Sequence, residues 1–192
     1  MHKLLIIFLF SLIMALTAQG QTAPTFHHQI GVAGSLISGM GISYQYIFSD
    51  DYRVKCTGLY YTETKSTDIL DERKSMDTQA GMELQKSIYM AKNTRVFAFA
   101  GAGVLLSTKR DFDVNASLES RYRWEYYHGG AGVGIELIAA GRISFNVEVG
   151  ALYSVRVTSG EFDSAKHSVY ETFSRREVGF GIGGGLGIGY RF

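Results

Sequence analysis

The chain has 192 residues with 19 basic and 18 acidic side chains, 12 Tyr, 12 Phe, 23 Gly, 1 Pro and 1 Cys. This near-neutral balance argues against a nucleic-acid partner, which needs a basic face, and a lone Cys56 rules out an internal disulfide. Tyr and Phe favour strands, whereas Gly weakens an ordinary one, so glycines this numerous inside strand-like runs require a special architecture.

At the start, Lys3 precedes an apolar run from Leu4 to Leu16 that is broken only by Ser11. Ala18-Gln19-Gly20 then places small residues at the −3 and −1 positions of a cleavage site. This layout predicts a secretory signal peptide over residues 1–20, with cleavage after Gly20, or next after Ala18. The run is shorter than the ~20 apolar residues of a spanning helix. No lipobox cysteine follows, so no lipid anchor is expected. Removing Lys3 with the signal leaves a mature chain of zero net charge.

Residues 21–192 then read as eight segments of period-two alternation. His28 to Leu36 sets Ile30, Val32 and Leu36 against Gln29, Gly31, Ala33 and Ser35. Gly41 to Phe48 sets Ile42, Tyr44, Tyr46 and Phe48 against Ser43 and Gln45. Tyr52 to Thr62 sets Val54, Cys56 and Tyr60 against Arg53, Lys55 and Thr57. Thr78 to Met90 sets Ala80, Met82, Leu84 and Ile88 against Gly81, Glu83, Gln85 and Ser87. Arg95 to Leu106 is apolar on both faces, and its register is open. Tyr122 to Leu137 sets Tyr127, Ala131, Val133, Ile135 and Leu137 against His128, Gly130, Gly132, Gly134 and Glu136.

The last two segments are the most regular. Ile143, Phe145, Val147, Val149, Ala151, Tyr153 and Val155 oppose Arg142, Ser144, Asn146, Glu148, Gly150, Leu152, Ser154 and Arg156, with Leu152 alone out of character. From Val178 to Phe192 every second residue is apolar except Gly184, and the interleaved set is glycine closing on Arg191. Successive strand side chains point to opposite faces, so this last strand has one apolar face and one nearly bare face.

Separators alternate in character. Residues 49–51, 91–94 and 139–141 are short turns, whereas Thr64 to Asp77, Ser107 to Arg121 and Thr158 to Thr172 are polar and are expected to be long loops. The first connection, at Ser38-Gly39-Met40, is short and breaks the trend. Short turns on one side and long loops on the other, with an even strand number, are the pattern of bacterial outer-membrane barrels. In hydrocarbon every backbone polar group must be paired within the protein, which leaves helices or closed barrels. After the signal peptide no apolar run of helix-spanning length remains. The expected fold is therefore all-β: an eight-stranded antiparallel up-and-down transmembrane β-barrel over residues 21–192, in the outer membrane, with both mature termini on the periplasmic side.

Such a barrel turns its apolar face to lipid. Tyr44, Tyr46, Tyr60, Tyr153, Tyr190 and Phe192 share that parity and are expected to form interfacial girdles. The inner parity collects Arg53, Lys55, Glu83, Glu136, Arg142, Glu148 and Arg191. Buried charges need partners, so these residues are expected to form a lumenal network with Gln29, Gln45 and Gln85. The glycine stripe would leave room for longer side chains from across the barrel. Eight strands enclose an interior that side chains just fill, which argues against a wide pore.

At this level the chain resembles the eight-stranded outer-membrane barrels, such as the barrel domain of outer membrane protein A and outer membrane protein X. The likeness runs over nearly all of the mature chain and is sharpest in Gly187-Ile188-Gly189-Tyr190-Arg191-Phe192, which is similar to the family's C-terminal assembly signal. The resemblance implies recognition of Ile188, Tyr190 and Phe192 by the barrel-assembly machinery, handling by periplasmic chaperones, outer-membrane lipid and lipopolysaccharide as surroundings, and a monomer. No peptidoglycan-binding domain is expected after the barrel.

Other motifs carry less. His167-Ser168 with Glu171 contains the residue types of a lipid A deacylase of similar shape, but the spacing does not match clearly and solvated loop residues are the plainer reading. His27-His28 would point opposite ways in a strand, which spoils chelation. Gly179 to Gly189 lacks the following helix of a phosphate loop. Asn115-Ala116-Ser117 and Asp163-Ser164-Ala165 match glycosylation triplets that are common by chance. No catalytic residue, metal ligand or cofactor is therefore expected. The leading functional expectation is a non-enzymatic envelope or surface-interaction protein with a plugged polar lumen. The alternatives are a lipid-modifying enzyme, a narrow channel, or a secreted barrel with an apolar interior.

Overall fold

Alternating side chains fix which face of a strand is buried, and a closed ring then decides which face is inside. In a computed structural model the chain forms eight antiparallel strands, β1 His28–Ser35, β2 Gly39–Ile47, β3 Tyr52–Asp68, β4 Asp71–Ala91, β5 Thr94–Asp113, β6 Leu118–Ala139, β7 Ile143–Ser164 and β8 Val169–Arg191. Each strand pairs with its sequence neighbour, and β8 returns to β1 to close the barrel. The structure describes residues 26–68, 71–113, 118–164 and 169–192. The expected signal peptide, residues 1–20, lies outside these, as do residues 115–117, His167 and Ser168.

The barrel is inside-out relative to a water-soluble protein. Val147, Val149, Ile182 and Leu186 are exposed on the outer wall, at 57%, 52%, 82% and 66%. Arg53, Lys55, Glu83, Glu136 and Glu148 are each 4% exposed or less. At the end that carries Phe26 and Phe192, His28, Tyr44, Tyr46, Phe48 and Phe192 form a chain of ring contacts on the outer wall, among them Tyr46 edge-on to Phe48 at 4.7 Å. Tyr60, Tyr153 and Tyr190 are exposed on the same outward parity. The β6–β7 turn is a two-residue hairpin in which Ala140 and Gly141 both have positive φ, 49° and 71°, and Arg142 N donates to Ala139 O at 3.1 Å. That handedness matches the twist of the strands it joins.

Two expectations are corrected here. The three polar stretches are not long loops. Pairing runs through them to Asp68↔Asp71, Asp113↔Leu118 and Ser164↔Val169. A membrane crossing takes roughly 9–11 residues, so strands of 20 to 23 residues rise far beyond the bilayer. There both faces meet water, the apolar alternation fades, and backbone pairing continues without it. Arg142 is the second correction. It sits one residue before β7, exposed in the turn, where its Nη1 donates to the Tyr190 hydroxyl at 2.6 Å and its guanidinium lies 5.5 Å from the Phe26 ring. Strand parity does not extend into a turn, so alternation could not place it.

The ring is uneven in height. β1 and β2 have 8 and 9 residues. Their pairing to the neighbouring strands ends at Ser35↔Gly185 and Ile42↔Gly58. Above that level β3 to β8 continue as an open, curved sheet. Its concave face carries Tyr122, Trp124, Tyr126 and His128 at alternate positions of β6, with Tyr122 stacked on Trp124 at 5.9 Å.

Candidate functional site in the barrel lumen

The lumen is built in layers, starting at the turn end. Arg53 on β3, Arg95 on β5 and Arg191 on β8 converge on Glu136 of β6. Glu136 Oε2 accepts from Arg53 Nη1 at 2.7 Å, Oε1 accepts from Arg191 Nη2 at 2.6 Å, and Arg95 Nη1 approaches Oε2 at 3.4 Å. Neutral groups complete the set: Gln29 Oε1 accepts from Arg191 Nε at 3.2 Å, Ser87 Oγ from Arg95 Nε at 2.7 Å, and Gln85 Oε1 from Arg95 Nη1 at 2.7 Å. Gln45 Nε2 donates to the same Gln85 oxygen at 3.0 Å.

Further out, Lys55 bridges two carboxylates, with Nζ 2.5 Å from Glu148 Oε1 and 3.1 Å from Glu83 Oε2. Ion pairs this deep hold because each charge has a partner at hydrogen-bond distance. Leaving one unpaired would cost several kcal/mol.

Above the charges, the β1–β2 turn folds inward. Ser35 Oγ accepts from the backbone N–H groups of Ile37 and Ser38, at 3.1 and 3.2 Å, which turns the chain into the lumen. Ile37 is fully buried there against Phe97, Phe99 and Leu152. Ser38 Oγ donates to Glu83 Oε2 at 2.8 Å, Thr57 Oγ1 donates to Ser38 O at 2.5 Å, and His128 Nδ1 lies 2.9 Å from Ile37 O. The turn is seated on glycine. A Cβ on Gly81 would strike Ser38 O, and one on Gly183 would lie 2.8 Å from Ile37 Cγ1.

This explains Leu152, the one apolar residue on the polar parity between Arg142 and Arg156: it packs against the inward-folded turn. The glycine stripe of β8 does make room, but chiefly for neighbours. Gly187 faces the Asn146 amide, Gly189 faces Gln29, and Gly185 faces Glu148 and Ser35.

Of the seven lumenal charges expected from alternation, six lie inside, and Arg142 does not. Sequence reasoning missed Arg95, which has zero exposure, together with Phe97, Phe99 and Ile37. An apolar run hid the parity of β5, yet the glycines opposite it on β6 were a usable signal. A Cβ on Gly134 would fall on the Phe97 ring. Ile188, Tyr190 and Phe192 point outward and are exposed at 44%, 43% and 54%. His28 Nδ1 meets the Tyr44 hydroxyl at 2.8 Å, while His27 Nδ1 lies 3.3 Å from Ile47 O, so the two imidazoles are separately engaged.

A closed ring of eight antiparallel strands, largely apolar outside and charged inside, satisfies its backbone internally and offers lipid a largely apolar wall. It defines an integral outer-membrane β-barrel.

No protein-family model matches the chain, and no curated protein matches it. Among solved structures it is similar to the ferric yersiniabactin uptake receptor FyuA of Yersinia pestis, at 12% identity over 90% of this chain, with a TM-score of 0.49. The chain spans 28% of that receptor's length. It is also similar to Ail, the attachment invasion locus protein of Yersinia pestis, at 16% identity over 86% of this chain and 96% of Ail, with a TM-score of 0.42. Acinetobacter baumannii CarO matches 90% of this chain and 100% of its own, at 11% identity and a TM-score of 0.42. All three TM-scores fall below 0.5, so the assignment above rests on this chain's own geometry.

Proposed function

We propose that this outer-membrane barrel is a closed, non-enzymatic protein that acts at the cell surface through its tall outer sheet. The observation that carries this reading is the inward-folded β1–β2 turn. Ile37 and Ser38 have zero exposure and sit across the bore between the ion network and the outer vestibule. A bore filled in this way favours a plug over a channel. The lumenal acids and bases are spent on one another, which favours a structural network over catalysis. Outside, the aromatic ladder of Tyr122, Trp124 and Tyr126 offers a half-buried stacking face to a surface partner.

The test is planar-bilayer conductance of the refolded protein. Wild type is expected to show no unitary conductance. Steady channels in wild type would overturn the plug, and lipid A mass spectrometry showing product in its presence would overturn the non-enzymatic reading. In the same proposal, export uses a signal cleaved after Gly20, assembly reads Ile188, Tyr190 and Phe192 through periplasmic chaperones and the barrel-assembly machinery, and the mature protein is a monomer among lipid and lipopolysaccharide. Amino-terminal sequencing should then begin at Gln21.

A further inference from the structure

We propose that a slot in the barrel wall, between β8 and β3, admits a single-chain amphiphile of fatty-acid type from the outer leaflet, its tail lying in the vestibule above the inward-folded turn. Pairing of β8 to β1 stops at Ser35↔Gly185, followed by one bond from Leu36 N to Gly184 O at 3.0 Å. Pairing of β2 to β3 stops at Ile42↔Gly58. Beyond those levels β8 pairs with β7 alone and β3 with β4 alone. β3 and β8 are not neighbours in the ring. Three strand spacings of about 4.8 Å set their edges roughly 14 Å apart at the level of the turn.

The slot opens at membrane depth. Tyr190 marks the turn-side girdle on β8, and Phe180, opposite Tyr153, marks the outer one. The stretch between them is about one bilayer crossing long, and Gly184 lies inside it, so the wall is incomplete from there outward. Phe180 and Ile182, beside the slot, are the two most exposed large apolar side chains among the described residues, at 81% and 82%. Leu36 and Met40 expose apolar side chains at its foot.

A second observation concerns the inward face. Below the turn the inward parity carries charge. Above it, Leu59 and Tyr61 continue that parity on β3 and are exposed. Leu105 on β5, Tyr126 on β6 and Leu152 on β7 are half-buried on the same face. Gly179 and Gly181 leave the β8 side bare, and a Cβ on Gly181 would meet nothing within 4 Å. Apolar lining of this kind suits a hydrophobic ligand. Continuity with the lipid-facing wall decides the occupant: hydrocarbon already bathes Ile182, Leu36 and Met40, and a chain that slides inward covers Leu59 and Tyr61 from water.

The edge adds a polar demand. Along an antiparallel strand, alternate residues aim both their N–H and C=O at the same neighbour. Gly184 O faces β1, so Ile182 and Phe180 aim their backbone groups into the slot. Hydrocarbon alone cannot satisfy such groups. A carboxylate oxygen at the outer girdle accepts from these N–H groups while its tail fills the apolar space below, which is why the ligand is an amphiphile and not a plain alkane.

The experiment refolds the whole protein into nanodiscs of deuterated phosphatidylcholine, with protonated palmitate as the probe and NMR contacts from palmitate to protein methyl groups as the readout. A chain merely dissolved in the bilayer touches outward methyls such as those of Val147 and Val149. Further contacts to Leu59, Leu105 and Leu152 that saturate with palmitate are expected, with shifts of the Phe180 and Ile182 amide signals. Gly181→Trp fills the open side of the slot, and it is expected to lose the inward contacts and keep the outward ones. Folding is checked by gel mobility before and after heating. If Gly181→Trp does not fold, Gly181→Leu and saturation in wild type decide. Contacts confined to outward methyls in wild type would overturn the proposal, as would inward contacts unchanged by filling the slot. Two chains per nanodisc, with the Phe180 and Ile182 amides protected before palmitate is added, would assign the slot to a second copy and overturn it equally.

Discussion

Replacing Glu136 by Gln removes the one carboxylate on which three buried guanidiniums converge. The shape is kept and one amide oxygen remains, so the change isolates charge. Two strong bonds are at stake, from Arg53 at 2.7 Å and Arg191 at 2.6 Å, with a longer contact from Arg95 at 3.4 Å. Hydrogen bonds to charged groups contribute roughly 1.5–3 kcal/mol each, and unpairing a buried ion pair costs about 3–5 kcal/mol. Both routes give a loss of ~3–5 kcal/mol, since the substituted amide would retain a weak acceptor. The assay is urea unfolding in phosphatidylcholine vesicles, followed by the mobility difference between folded and heated protein. With slopes of ~1–3 kcal/mol/M, the midpoint should fall by at least about 1 M. Adding Arg95→Met should cost less in the Glu136→Gln background than in wild type, because it also removes repulsion from Arg53 and Arg191. Such non-additivity is expected for residues sharing one network. A loss below ~1 kcal/mol for Glu136→Gln, or strict additivity, would refute the claim that this carboxylate holds the cluster together.

Three further outcomes follow from the same geometry. Val147→Arg places a charge on the lipid-facing wall, where Val147 is 57% exposed. It should cost ~2–4 kcal/mol in vesicles near the bilayer centre, whereas an exposed site on a water-soluble protein would change by less than ~0.5 kcal/mol. Gly134→Ala drives a Cβ into the Phe97 ring. It should destabilise by ~1–3 kcal/mol by overpacking, and Phe97→Leu in the same chain should recover part of that; no recovery would mean the clash is not the cause. Trp124 is the sole tryptophan and lies half-buried on the concave outer face. Its emission should be quenched by aqueous acrylamide and spared by brominated lipid, and the reverse would invert the facing of β6.

The sequence determined the number of strands, the faces of seven of them, and the inside-out arrangement that makes the barrel a membrane protein. These properties are local: alternation at period two and the positions of short turns encode them residue by residue, so Arg53, Lys55, Glu83, Glu136, Glu148 and Arg191 could be placed in the lumen without coordinates. Alternation failed where its cause is absent. On β5 both parities are apolar, because Phe97 and Phe99 point into the barrel while Val96 and Ala98 face outward, so Arg95 went unassigned. Beyond the bilayer water wets both faces, so paired strands read as loops, and at Arg142 the turn breaks the parity.

What only the tertiary structure decided is who meets whom. Arg53 and Glu136 are separated by 83 positions and Arg191 and Glu136 by 55, and nothing in the spacing joins them. The inward fold of Ile37 and Ser38 is equally non-local. It depends on Gly81 and Gly183, on strands distant in sequence, leaving space at the same height of the closed ring. Strand stagger around a barrel sets that height, and stagger is a property of the whole ring that no single segment contains.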